Sequence, residues 1–160
     1  MRLLAAFLFS TLLTQFAVAQ EAEEAAVLAV AQQIMDGINQ KDGDLIRSAM
    51  IPEGVLFSTV NRNGVDQAFF SSAEDFASQV SNATDDYHER LFDATVLVQK
   101  GVALVWAPYD FHLNGEFTHC GVDTVSLVKT DEGWKAVSLT YTVETEGCPE
   151  RPPIPSSDDQ

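Results

Sequence analysis

Between Glu21 and Asn39 the apolar positions Val27, Val30, Ala31, Ile34 and Ile38 recur at helical spacing, with Glu21, Glu23 and Glu24 loading the start where the helix dipole favours anions. This predicts an amphipathic helix. Lys41-Asp42-Gly43-Asp44 reads as a turn, with Asp44 capping a short second helix that runs through Met50 and stops before Pro52. From Val55 the period changes. Val55 to Val60 and Val65 to Phe70 form a hairpin about Asn61-Arg62-Asn63-Gly64, and Ser72 with Asp75 opens a third helix over about Ala73 to Asn82. Four strands then follow, about Tyr87 to Val98, Val102 to Leu113, Phe117 to Lys129 and Trp134 to Thr145.

Turn chemistry sets the expected register, and register decides which side chains share a face. Asn114-Gly115 as a two-residue turn pairs Leu113 with Glu116, which puts Asp110 opposite His119, Trp106 opposite Asp123, His112 opposite Phe117 and Leu104 opposite Val125. Asp131-Glu132-Gly133 as a three-residue loop pairs Thr130 with Trp134 and sets Asp123 opposite Tyr141. Gln99-Lys100-Gly101 pairs Val98 with Val102, bringing Arg90 opposite Asp110 and His88 opposite His112. The three registers agree on an inner face of Phe92, Ala94, Val96, Leu104, Trp106, Val125, Leu127, Val137, Leu139 and Val143. At its polar end stand His88, Arg90, Asp110, His112, His119, Asp123 and Tyr141. Half apolar and half ionisable, such a concavity suits a small molecule.

Two readings of the polar end stay open. Arg90, Asp110 and His119 form either an acid/base pair, with Asp110 orienting His119, or an ion-pair ladder that satisfies itself at a sheet end. Asp123 between Trp106 and Tyr141 is either a carboxylate with a raised pKa, able to act as base or protonated donor, or a core hydrogen-bond partner of the tyrosine. Histidines 88, 112 and 119, or Asp110, have metal-ligand chemistry but come from three strands without a dense motif, so no metal is assigned. Trp134 is expected on the opposite face. No nucleophile elbow, phosphate loop, CxxC or dinucleotide fingerprint occurs, and no cofactor is implied.

The chain begins Met1-Arg2-Leu3-Leu4, continues apolar to Val18 and ends that run with Ala17-Val18-Ala19, which reads as a secretory signal over residues 1–19, cleaved after Ala19. The remainder is one domain over 20–147 with a Pro- and Ser-rich tail over 148–160, read as mobile and outside the core. The expected compartment is periplasmic or extracellular. The sequon Asn82-Ala83-Thr84 matters only where the source glycosylates exported proteins. Acidic residues outnumber basic ones 24 to 9, for a net charge of −15, which repels nucleic acid and anionic lipid head groups. The expected partner is a small organic molecule, with no nucleic acid and no membrane after signal cleavage. Cys120 and Cys148 are disulfide candidates on the compartment argument. Cys120 falls on the outer face with Glu144 in register, so pairing requires the tail to fold back at Gly147.

The stretches Val105-Trp106-Ala107-Pro108-Tyr109-Asp110-Phe111, Phe117-Thr118-His119-Cys120-Gly121-Val122-Asp123 and Gly133-Trp134-Lys135-Ala136 resemble the NTF2-like superfamily, and more narrowly bacterial nuclear transport factor 2 family proteins of the SnoaL-like and lumazine-binding type. The resemblance implies an α+β cone, with N-terminal helices packed in a curved, mostly antiparallel sheet, and a homodimer through the outer sheet face. The superfamily hosts isomerases, cyclases, dehydratases and epoxide hydrolases beside members with no established activity, and none of their local catalytic motifs is matched here residue by residue. The leading expectation is ligand binding through His88, Trp106, Asp110, His112, His119, Asp123 and Tyr141. One alternative is a cofactor-independent lyase, isomerase or hydrolase with His119 or Asp123 as base, Asp110 orienting, and Arg90 or Tyr141 stabilising negative charge. The other is a non-catalytic interaction module.

Overall fold

A computed structural model describes the backbone over residues 4–62 and 64–154 and the side chains over 18–61 and 64–154. Helix α1 (Leu4–Gln40) contains the expected amphipathic segment and extends back from it. It buries Val27, Ala31, Ile34, Met35 and Ile38 against the sheet. Helix α2 (Gly43–Ala49) is capped by Asp42, whose carboxylate accepts from the amides of Asp44 and Leu45, and Asp44 instead lies in the first turn. The cap lies two residues before the expected one, directly after Lys41 leaves the helix in a left-handed conformation with φ 55°. Strands β1 (Met50–Arg62) and β2 (Val65–Ser72) make the hairpin, and α3 (Ala73–Ser81) starts at Ser72, which accepts from the Asp75 amide.

The rest is sheet: β3 (Tyr87–Leu91), β4 (Thr95–Gln99), β5 (Val102–Leu113), β6 (Glu116–Thr130) and β7 (Gly133–Val143). Its order is β2-β1-β7-β6-β5-β3, with β4 also paired to β5. All pairs are antiparallel except β1 with β7. Three helices lie in the concave side of this curved, unclosed sheet, the α+β cone that the resemblance implies.

Register is where expectation and structure part. The Asn114-Gly115 turn forms, with Leu113 opposite Glu116 and His112 opposite Phe117, but the next pair is Phe111 with His119. Thr118 is an inserted bulge residue, and its hydroxyl donates to the Phe111 carbonyl at 3.0 Å. Beyond a bulge, every pairing slips by one. Asp110 therefore faces Cys120 rather than His119, Trp106 faces Thr124 rather than Asp123, and Leu104 faces Ser126 rather than Val125. The inward residues of β5 are Ala103, Val105, Ala107 and Tyr109, all buried. Leu104, Trp106, Asp110 and His112 point outward.

Two other turns differ in length and correct themselves. Thr130 pairs with Gly133 across a two-residue turn, which turns Trp134 inward, where its indole Nε1 donates to Glu23 of α1 at 2.9 Å. A bulge at Val137 restores the expected register, so Asp123 does face Tyr141. The single strand expected over Tyr87 to Val98 is broken at Asp93, whose φ is 44°. His88 still opposes His112 and Arg90 still opposes Asp110, whereas Val98 pairs with Ala103. The core joins the α1 stripe to Leu56, Val125, Leu127 and Leu139, with Ala94 and Val96 partly buried against it.

Candidate functional site

One inserted residue thus divides the expected polar cluster between the two sides of the sheet. His119, Asp123 and Tyr141 belong to the concave side. His88, Arg90, Asp110 and His112 belong to the convex side, as does Trp106, which is 49% exposed and lines no cavity with them. The three histidines do not converge. Among the described residues no group of three or more His, Cys, Asp or Glu side chains could hold a metal ion.

The concave side holds a cavity of about 330 Å³ between α1, α3 and strands β3 and β5 to β7. Ile38, Phe76, Val80, Leu139 and Val143 make its apolar wall, and Glu89, His119, Tyr109 and Tyr141 its polar end. Aromatic rings run in sequence along it. Tyr87 lies against Phe111 with centroids 5.5 Å apart, Phe111 stacks on His119 at 5.0 Å, and Tyr109 meets the edges of both His119 and Tyr141 at 5.7 and 6.5 Å. Gly121 makes room for this arrangement. A Cβ there would come within 2.7 Å of Tyr109 Cε1 and closer still to the Thr142 carbonyl. The bare backbone lets the Tyr109 hydroxyl cross to donate to that carbonyl at 2.7 Å.

His119 is held in one tautomer. The single Thr118 hydroxyl proton goes to the Phe111 carbonyl, so the contact of 2.8 Å between Thr118 Oγ1 and His119 Nδ1 requires the ring to be the donor. Nε2 keeps its lone pair. Burial lowers the pKa of this imidazole, so it is neutral near pH 7.

Glu89 and Asp123 are the chemical centre. Asn39 of α1 fixes the Glu89 backbone from both sides, accepting from its amide at 2.7 Å and donating to its carbonyl at 2.9 Å. Its carboxyl meets that of Asp123, and both are almost wholly buried. With both ionised, neither Asp123 oxygen has a donor. A shared proton supplies one. Burial, then the charge of Asp123, raises Glu89 well above the usual carboxylate range, and burial brings Asp123 to about 7. Glu89 is therefore the neutral acid and Asp123 the acceptor near neutral pH, in the manner of two carboxyls that share one site. Tyr109 and Tyr141 are also pushed up by burial and remain protonated.

Glu89, Tyr109 and Phe111 were not among the expected site residues. The missing signal was parity on β5, where Val102-Ala103-Leu104-Val105-Trp106-Ala107 is apolar on both faces and cannot say which is inner. Alternation about an outward Cys120 places His119, Gly121 and Asp123 inward, as expected, but the bulge at Thr118 breaks the link from that face of β6 to β5.

On the convex side Arg90 makes two hydrogen bonds to Asp110, Nε to Oδ1 at 3.0 Å and Nη2 to Oδ2 at 2.5 Å. His112 Nδ1 lies 3.8 Å from Asp110 Oδ1, beyond hydrogen-bond range. This is the self-satisfied ladder rather than an acid/base pair with His119. The Cys120–Cys148 disulfide is formed, with Cα atoms 5.8 Å apart, after Gly147 turns the chain at φ 74°. The tail, expected to be free, is docked over residues 148–154: Arg90 Nη1 donates to the Pro153 carbonyl at 3.4 Å, and the Arg151 guanidinium sits 4.0 Å from the Phe92 ring centroid. The strap covers Asp110 and His112, which explains why outward-facing polar groups are buried.

A family model described as "Putative lumazine-binding" matches residues 22–142. Solved structures share the fold. An NTF2-like superfamily protein from Salmonella enterica is 12% identical with a TM-score of 0.63, covering 81% of this chain and 96% of its own. The beta subunit of a "putative aromatic-ring-hydroxylating dioxygenase" from Novosphingobium aromaticivorans is 14% identical with a TM-score of 0.64, covering 80% and 92%. A "putative dehydratase" of the NTF2-like family from Streptomyces avermitilis is 16% identical with a TM-score of 0.59, covering 78% and 97%. At these identities the likeness is one of fold. No curated protein matches the sequence.

Proposed function

Since the chain belongs to the family described as "Putative lumazine-binding" and has the NTF2-like fold, we propose that it is an exported protein that binds a small, partly apolar organic molecule in the concave cavity. The observation that carries this reading is the cavity itself. About 330 Å³ falls at the lower end of the range of small-molecule sites, and the division into an apolar wall and a polar end is their usual chemistry. The contacting side chains would be Tyr109, Phe111, His119, Tyr141 and Glu89, with Asp123 behind Glu89. Trp106, His88 and His112, on the far side of the sheet, have no part in it.

The test is native mass spectrometry on protein purified from its own host, compared with the denatured mass. A small-molecule adduct that is lost on denaturation is expected. Its absence, together with no adduct after incubation with host extract, would refute the reading.

One observation favours a second reading, cofactor-independent acid/base catalysis. The carboxyl pair, with Asp123 at a pKa of about 7, is matched to proton transfer at neutral pH, Glu89 meeting the cavity and Asp123 behind it holding or returning the shared proton. A solved structure of the same fold is described as a "putative dehydratase". Turnover that falls with an apparent pKa near 7 and vanishes in Asp123→Asn would favour catalysis over binding alone.

Export is supported by the signal-like start and by the disulfide, which persists in oxidising compartments. Removal of residues through Ala19 would cost the core nothing described, since Val18 is exposed and the first buried residue among those described is Val27. The mature mass of protein from the host should begin at Gln20. A homodimer would use the convex face, where Phe57, Phe70, Leu97 and Trp106 stand exposed.

A further inference from the structure

Of the three buried acids among the described residues, Asp110, Glu89 and Asp123, only Asp110 is paired with a cation of the protein's own. Asp110 has the two-pronged contact from Arg90, and even the partly buried Glu23 and the exposed Glu74 have cations, Lys129 at 2.6 Å and Arg47 at 2.7 Å. The Glu89–Asp123 pair has none. No lysine or arginine lines the cavity, and its histidine is neutral. Asp123 is 2% exposed and neither of its oxygens meets a donor beyond Glu89. A carboxyl pair buried without a counter-charge is costly, and a chain that supplies arginine to the acid on the opposite face has not supplied one here. The walls beside the pair are Tyr87, Tyr109, Phe111 and Tyr141, whose ring faces attract positive charge.

Resting on the reading of the cavity as a small-molecule site, we propose that its ligand is an organic ammonium compound, the cationic head held against the Glu89–Asp123 pair and the apolar remainder against Ile38, Phe76 and Leu139. The ligand is the counter-charge that the fold omits. An anion of the same shape is repelled by the pair, and a neutral analogue gains only the apolar wall.

Ionisation couples to this binding. The titratable groups that face the pair are Tyr109 of β5, Tyr141 of β7 and His119 of β6, with the charge of Asp110 acting on Glu89 from the convex side, while α1 and α3 present Ile38, Asn39, Phe76, Gln79 and Val80. None of the inward-facing groups is cationic at neutral pH. A bound ammonium favours the doubly ionised pair, so binding releases protons and strengthens as pH rises through neutrality, while the ammonium itself stays charged to about pH 10 as lysine does.

The experiment uses the oxidised protein and three probes of one size, 2-phenylethylammonium, 2-phenylethanol and phenylacetate, titrated while backbone amide resonances are followed. The expected order is ammonium over alcohol by about tenfold or more, with no binding of the acid, and with shifts centred on Glu89, Phe111 and Gly121. Because the charge order is read on the unaltered protein, no variant has to fold for the proposal to be tested. Glu89→Gln should reduce the ammonium to the level of the alcohol, whereas Glu132→Gln, at an exposed turn, should leave it unchanged. If the alcohol or the acid binds the cavity as tightly as the ammonium, the proposal is overturned and the cavity reading survives. If no probe moves the cavity amides, both fall. An ammonium that shifts only surface amides, or is weakened equally by Glu132→Gln, overturns the proposal as general attraction to an acidic protein.

Discussion

Replacing Asp123 with Asn should make the protein more stable at pH 8, because the substitution removes a charge that the fold buries without a counter-ion. The sign follows from linkage. Asp123 holds its proton more tightly folded, at about 7, than unfolded, at about 3.8. Below pH 4 both states are protonated and this advantage is complete. As pH rises the unfolded chain ionises while the folded one does not, so stability falls until the folded carboxyl also ionises near 7. The full difference corresponds to about 4 kcal/mol. Asparagine has no such titration, and with Asp123 uncharged the neighbouring Glu89 is relieved of its closest repulsion, which acts in the same direction. Urea unfolding of both proteins from pH 4 to pH 8 is the assay, and the quantity is the difference between the two stability curves. Subtraction removes groups common to both, including Glu74, whose pKa is lowered to about 2 by Arg47 and which contributes with the opposite sign. The difference should be small at pH 4, grow in favour of the variant and level off above pH 7. A flat difference, or a variant that loses ground as pH rises, would refute the paired-carboxyl argument.

Three further outcomes are expected. Gly121→Ala should cost about 3 kcal/mol in urea unfolding, from overpacking against Tyr109 and Thr142 plus the strained hydrogen bond between them, and a cost under about 0.5 kcal/mol would mean the backbone there gives way. Cys148→Ser should lower stability by about 3 to 4 kcal/mol on the chain-entropy argument for a separation of 28 residues, and hydrogen exchange over 149–154 should rise with it; protection retained in the variant would show that Arg90 and Arg151 hold the strap unaided. The ring nitrogens of His119 should show a protonated Nδ1 and a bare Nε2 at pH 7 with a pKa below the usual 6.5, and Thr118→Val should redistribute the tautomers; the opposite tautomer in the unaltered protein would reverse the hydrogen-bond direction argued for Thr118.

The elements were legible because helical and strand periods are strong and the caps are chemically specific: Ser72 with Asp75, and Asn114-Gly115, do what their side chains dictate. Some cross-strand pairs far from their turns also fall as expected, His88 with His112, Arg90 with Asp110 and Cys120 with Glu144, because the breaks at Asp93 and Val137 offset turns of other lengths. The bulge at Thr118 was not. A threonine between phenylalanine and histidine carries no mark of an extra residue, since the hydrogen bond from its hydroxyl to Phe111 exists only once the strands have paired. The site inherited that error, because a shift of one reverses which side of β5 faces the helices. Asp123 and Tyr141 kept their places only because a second bulge, at Val137, undid the mistaken length of the turn before β7.

The position of β7 bears on the timing of folding. It is the last strand made, yet it lies inside the sheet between β1 and β6, so the hairpin of β1 and β2 has no neighbour to join until the chain is nearly finished. Pairing of Leu56 with Leu139 closes a span of most of the domain, the kind of distant contact that makes assembly slow. Cys148 arrives later still. A ribosome could therefore release this polypeptide with its sheet in two parts and its thiols unjoined, a form that can be threaded through a narrow translocation pore, whereas the completed cone could not.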